Sequence, residues 1–122
     1  MDNSFRNDEL LLRAVYPPDR RPDFWRGNRL SSAAFKDKNG LSVDRLYDRE
    51  LKDGIAFMRE ERGLKGHIAS VSVDDCVSVS AHVAYRPTSN DVYHSEIHGS
   101  ETQIILSEQQ CLGLARKAII QA

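Results

Sequence analysis

The amino-acid sequence predicts an α+β fold, a mainly antiparallel sheet with two helices packed on one face. Three observations carry that expectation. Short runs of alternating apolar and polar residues recur, separated by turn signals such as Asn39-Gly40 and Asp74-Asp75; period-two alternation marks a half-buried strand. Two stretches, 48–62 and 107–122, instead place apolar residues at helical spacing. Consecutive strands with short connections pair antiparallel, and helices then cover the apolar side.

Length and charge bound the rest. At 122 residues the chain is expected to form one domain over 1–122, with residues 1–8 as a polar lead-in. A net charge of −1 offers no argument for binding DNA or an anionic membrane, so nucleic acid is not an expected partner. Cys76 and Cys111 show neither zinc-knuckle nor disulfide-framework spacing. The opening MDNSFRNDE is polar and acidic, unlike a signal peptide. No apolar run approaches about 18 residues, the length a membrane span requires. A soluble, cytoplasmic protein is the expectation.

Taken in order, 9–16 (ELLLRAVY) fits a short strand or a helical turn and is stopped by Pro17 and Pro18. Arg13 is its one charged interior position. It reads as a solvent-facing or carboxylate-paired residue, or as a ligand contact if the fold brings it to the site below. Residues 17–30 form a proline-punctuated loop carrying Arg20, Arg21, Arg26 and Arg29 with Phe24 and Trp25. Arginines among aromatics can clamp phosphates. The favoured reading is plainer: the aromatics tack the loop to the core, and Asp19 and Asp23 offset half the arginines. Ser31, Ser32, Ser42, Asp44 and Arg45 then make 31–47 a polar but ordered stretch. Its small residues would let a ligand approach the backbone, so Ser31, Ser32 and Arg45 enter as candidate ligand contacts. Leu41 to Leu46 alternates as a strand. In 48–62, Asp48 can cap a helix whose stripe is Leu51, Ile55 and Met58, with Gly63 placed to end it. Residues 66–73 read as a strand. Residues 102–106 read as a short strand, and Ser107 with Gln110 forms a capping box for the last helix.

The chemistry concentrates in 76–98. Alternation over 76–86 puts Val77, Val79, Ala81, Val83 and Tyr85 on one face and Ser78, Ser80, His82, Ala84 and Arg86 on the other. Residues 87–91 supply turn chemistry, and 92–98 put His94, Glu96 and His98 on one face. Pairing Arg86 with Val92 would set His82 opposite Glu96 and Ser80 opposite His98. His82, His94 and Glu96 are thus the candidate catalytic residues, with Glu96 orienting an imidazole for proton transfer and Arg86 holding an anionic group. His94 and His98 are weaker candidates as metal ligands, since alternate strand residues lie about 6–7 Å apart. No serine stands in a recognisable nucleophile motif.

In one respect the chain resembles small ADP-ribosyltransferase-like domains. Arg13, then Ser31 and Ser32, then Glu96 follow the order of arginine, serine and glutamate in one branch of that fold. The resemblance covers three positions and no continuous motif, and the chain is short for the fold. It implies that the arginine holds a dinucleotide phosphate, the serine lies near the ribose and the glutamate is catalytic. An ADP-ribosyltransferase-like domain ranks below two other readings, and the leading functional expectation, drawn from the His/Glu/Arg face itself, is a module binding or processing a nucleotide or other phosphorylated small molecule. The alternative is a non-catalytic module that binds a protein partner or forms a homo-oligomer. No particular cofactor is indicated.

Overall fold

A computed structural model describes all 122 residues. Its centre is a six-stranded antiparallel sheet. The strands are β1 (Leu10–Val15), β4 (Leu41–Arg45), β5 (His67–Ser72), β6 (His82–Tyr85), β7 (His94–His98) and β8 (Ile119–Ile120), in the order β6-β7-β4-β1-β5-β8. Between β1 and β4, β2 (Trp25–Arg26) and β3 (Arg29–Leu30) form a separate two-stranded ribbon. The ambiguous stretch 9–16 is thus the central strand, flanked by β4 and β5. Two Leu residues in sequence, Leu11 and Leu12, point to opposite faces, and both are fully buried. A strand covered on both sides loses the alternation that would have marked it.

Each face has its own helices. α1 (Leu51–Ala56), continued by a π-turn over Phe57–Glu61, bridges β4 to β5 and packs Met58 against Leu12 and Ile68. α2 (Val73–Ser78) and α3 (Glu108–Lys117) cover the other face, where Cys76, Cys111 and Leu114 join Leu11, Val15, Leu41, Val43, Val71 and Ile97. Two helices do share a face, but they are not the expected two. The helix predicted over 48–62 lies on the opposite side from α3, and its partner's place is taken by α2, which spans the expected turn at Asp74-Asp75 and the start of the run from 76 read as a strand.

The reason is a local signal inside 72–75. Ser72 Oγ accepts from the Asp75 N–H (2.9 Å), and the Asp75 carboxylate accepts from the Ser72 N–H (2.9 Å). That reciprocal cap starts a helix. Val73 and Cys76, three apart, are buried, while Val77 is exposed. The apparent alternation Val77-Val79-Ala81 spans a helix end and a turn instead. Ser80, at φ 60°, closes that turn. Residues 102–106 are likewise not a strand; they form a turn in which Gly99 donates to Ile104 O and Ser100 to Gln103 O. The last helix behaves as expected at its start, with Ser107 and Gln110 capping each other. It stops at Lys117, and Ile119–Ile120 then add β8 to the sheet edge.

The β6–β7 pair forms, but with a register displaced by two residues: His82 faces His98, Val83 faces Ile97, Ala84 faces Glu96 and Tyr85 faces Ser95. The loop is wider than expected because Thr88 and Asp91 bridge each other and Arg86 N–H reaches His94 O. An even displacement leaves every side chain on its predicted face. His82, His94, Glu96 and His98 therefore share a face, the one that carries α1.

Candidate functional site

The polar face has two parts. At the rim, His98 Nε2 donates to Glu96 Oε1 at 2.7 Å, and the His82 ring lies beside His98 with centroids 6.4 Å apart. Glu96 thus orients His98 rather than His82, as the displaced register requires. Gly40 closes over this pair at φ +95°, and a Cβ there would stand 2.7 Å from Glu96 Oε1 and 3.2 Å from His98 Nε2. Gly40→Ala will therefore strain backbone and site together, lowering stability by about 1–3 kcal/mol in a urea titration. A loss below about 0.5 kcal/mol would contradict the close approach.

The second part lies further along the same face. β4 turns Ser42 and Asp44 toward it, and its register sets Asp44 opposite His94 and Ser42 opposite Glu96. His94 therefore sits diagonally from Ser42, within reach of a ring side chain. His94 Nδ1 lies 2.7 Å from the Arg86 carbonyl, and Nε2 lies 3.2 Å from Ser42 Oγ. A carbonyl only accepts, so Nδ1 carries the hydrogen, and Nε2 of the neutral ring accepts from the Ser42 hydroxyl. Ser42 is exposed, and Ser42, His94, Asp44 and Arg62 line one cleft of about 220 Å³, with Leu12, Met58 and Leu64 among its walls.

Beneath the cleft is a buried carboxylate pair. Asp44 and Asp91 are 2% and 0% exposed. Arg62 Nη1 binds the Asp91 carboxylate and lies 3.6 Å from Asp44 Oδ1. Asp44 Oδ2 has no donor within the protein. Burial first, and then a hydrogen bond and repulsion from Asp91, push the Asp44 carboxyl up to about 8. A proton on Asp44, shared with Asp91, is what two abutting buried carboxyls need. Arg49 lies outside the cleft lining: its guanidinium is 3.4 Å from the Tyr93 ring centroid and donates to Arg45 O (2.7 Å) and Leu46 O (3.1 Å).

No family model, curated protein or solved structure matches this chain.

Of the remaining candidates, only Arg13 lines the Ser42 cleft. Arg45 is 1% exposed, and its guanidinium is taken up by Glu9 (2.8 and 3.0 Å), Asp2 O (2.8 Å) and Ser4 O (2.6 Å). Arg13 shares the parity of Leu11, on the α3 face, and donates to Ala34 O (2.9 Å) and Ser42 O (3.0 Å). Ser31 bonds the Asp23 carbonyl, and Ser32 bonds Glu108 of α3 (2.8 Å). Ser31, Ser32 and the Arg13 guanidinium thus lie across the sheet from Glu96, and the three positions of the ADP-ribosyltransferase resemblance are not gathered. The Arg86 side chain is exposed and reaches only its neighbour's carbonyl, Tyr85 O, at 3.5 Å; its backbone carbonyl is the part that serves the site. His94 and His98 turn to different partners, and no three His, Cys, Asp or Glu side chains gather as a metal-binding group. No helix is long and apolar enough to cross a membrane.

The local pattern marks neither Ser42 as a nucleophile nor Asp91 and Arg62 as partners of Asp44. Ser42 and Asp44 were legible as the polar side of an alternating strand. Asp91 was legible only as a turn residue, which it also is, since its Oδ1 accepts from Tyr93 N–H (3.0 Å). Nothing local says that this turn folds under α1 to meet Arg62.

Proposed function

We propose that this chain is a small enzyme working by nucleophilic attack, with Ser42 as nucleophile and His94 as the base that takes its proton. The observation that supports this is the relay from the Ser42 hydroxyl through His94 Nε2 to the Arg86 carbonyl, at a cleft rather than on an open face. Nucleophile, base and orienting group in hydrogen-bond contact are the parts such chemistry needs. A backbone carbonyl here does the orienting that a carboxylate does elsewhere, holding the ring in the tautomer that accepts at Nε2.

The cleft suits a small ester or other activated acyl group. Ser42 Oγ attacks the carbonyl carbon while its proton moves to His94 Nε2. Charge gathering on the carbonyl oxygen faces Arg62, whose single bonded nitrogen is Nη1. His94 returns the proton to the departing alcohol or thiol, and water then repeats the sequence to free Ser42. Leu12, Met58 and Leu64 hold the apolar part of the substrate.

A fluorophosphonate probe tests the reading without a known substrate. Ser42 Oγ would attack phosphorus, fluoride would leave and His94 would take the proton, giving a stable adduct located by mass spectrometry of the digest. The expected result is one adduct, on Ser42, absent in Ser42→Ala and formed at least about 100-fold more slowly in His94→Gln. A folded protein that carries no adduct on Ser42 overturns the proposal.

A further inference from the structure

On the opposite side of the molecule the ribbon β2–β3 and helix α3 enclose a second cleft, of about 430 Å³. Three arginines line it: Arg26 and Arg29 from the ribbon and Arg116 from the last turn of α3. No carboxylate lines it, and none of the three guanidiniums makes a salt bridge, a hydrogen bond or a ring contact within the protein. The acids nearest in sequence are committed elsewhere. Asp23 accepts from Nε and Nη2 of Arg21 (3.0 and 2.9 Å), and Glu108 takes Lys36 (2.6 Å). Of the loop arginines that Asp19 and Asp23 were expected to offset by half, Arg21 is paired with Asp23, while Arg26 and Arg29 are exposed.

All three arginines are exposed, and the register sets two of them against each other. Arg26 and Arg29 are direct partners across the ribbon, and like charges directly opposed destabilise a strand pair. Arg116 has a reason of its own to stand at a helix C-terminus, but it adds a third positive charge to the same cleft. The floor is apolar, formed by Leu30, Leu112 and Ala115, and Leu112 is exposed. Weakly hydrated, planar guanidiniums over an apolar floor match a phosphate joined to an apolar or aromatic body. The volume exceeds what a phosphate alone would fill.

We infer that the Arg26/Arg29/Arg116 cleft binds a phosphorylated small molecule of the nucleoside-phosphate class, with phosphate on the arginines and the remainder on Leu30 and Leu112. The site is separate from Ser42 and stands whether or not Ser42 is a nucleophile.

Calorimetric titration with ADP and with inorganic pyrophosphate at low ionic strength tests it, alongside thermal unfolding. ADP should bind saturably, more tightly than pyrophosphate, and raise the melting temperature by mass action. Arg29→Ala should weaken ADP binding about tenfold or more, the scale of a lost charge-assisted hydrogen bond. The triple variant Arg26→Ala/Arg29→Ala/Arg116→Ala should abolish it. The unliganded melting temperature of Arg29→Ala should hold or rise, because a repulsive pair has been removed. Arg21→Ala, outside the cleft, and Ser42→Ala should bind ADP as the natural protein does. Unchanged ADP binding in the triple variant, or no saturable binding to the natural protein, overturns the inference. So does binding of a short single-stranded oligonucleotide without binding of ADP, which would assign the arginines to a nucleic-acid strand.

Discussion

Replacing Arg45 by methionine will lower the stability of the fold by about 3–5 kcal/mol, the cost of stranding one member of a buried ion pair. Arg45 and Glu9 are 1% and 3% exposed. Their contact is two-pronged, at 2.8 and 3.0 Å. The same guanidinium bonds Asp2 O and Ser4 O and lies near the rings of Phe5, Tyr47 and Tyr85, with centroids 4.0, 4.9 and 5.2 Å away. One side chain from β4 thus ties residues 2–5 onto the sheet. Glu9 Oε2 also accepts from the N–H of Tyr47 (3.0 Å), a residue held at φ 58°, where a bulky side chain is unfavourable. With Arg45 gone, Glu9 stays buried without its cation and the Tyr47 turn loses its anchor. Set against a total stability of about 5–15 kcal/mol, this is a large fraction. The midpoint of urea unfolding measures it. The double variant Arg45→Met/Glu9→Leu should recover part of the loss, because no lone charge remains. A single-variant loss below about 1 kcal/mol would mean that water reaches the pair.

Asp44→Asn will change how stability depends on pH. The folded Asp44 carboxyl binds its proton up to about pH 8, whereas an exposed one releases it near 3.8. Between those values the folded protein holds a proton that the unfolded chain has released. The contribution is therefore fully present below about pH 4 and is lost as pH rises through about 8. The slope reaches at most about 1.4 kcal/mol per pH unit for one group. Asparagine keeps the shape, donates a hydrogen bond to Asp91 and cannot ionise. The variant should show a flatter profile across this window and exceed the natural protein at pH 8–9 by on the order of 2 kcal/mol. Asp44→Ala, which leaves a void and removes the donor, should be destabilised throughout. Parallel profiles for Asp44→Asn and the natural protein would show that Asp44 does not carry the proton.

Both predictions concern residues whose identity was plain in the sequence and whose partners were not. Arg45 lies on a strand that alternates as expected, but its partner Glu9 is 36 positions away on the far side of a long loop. Asp44 meets Asp91 and Arg62 because β7 docks on β4 and α1 crosses the same face. The capping box at Ser107 was read correctly. The equivalent cap of Ser72 with Asp75 is masked in the sequence by the period-two run that follows it. When a cap and an alternation compete over six residues, the cap prevails if it gives the helix an apolar side, here Val73 and Cys76.

The sequence alone determined which residues take extended or helical form over most of the chain, and which sides of β4, β6 and β7 carry Ser42, His82 and His94. Those properties depend on neighbours two to four positions apart, and an even displacement of register leaves them untouched. The order of strands, the division of the helices between the two faces, and the meeting of Ser42 with His94 were decided by the tertiary structure. They arise from pairings between segments tens of residues apart, where burial of two separate apolar faces selects one arrangement that no local pattern encodes.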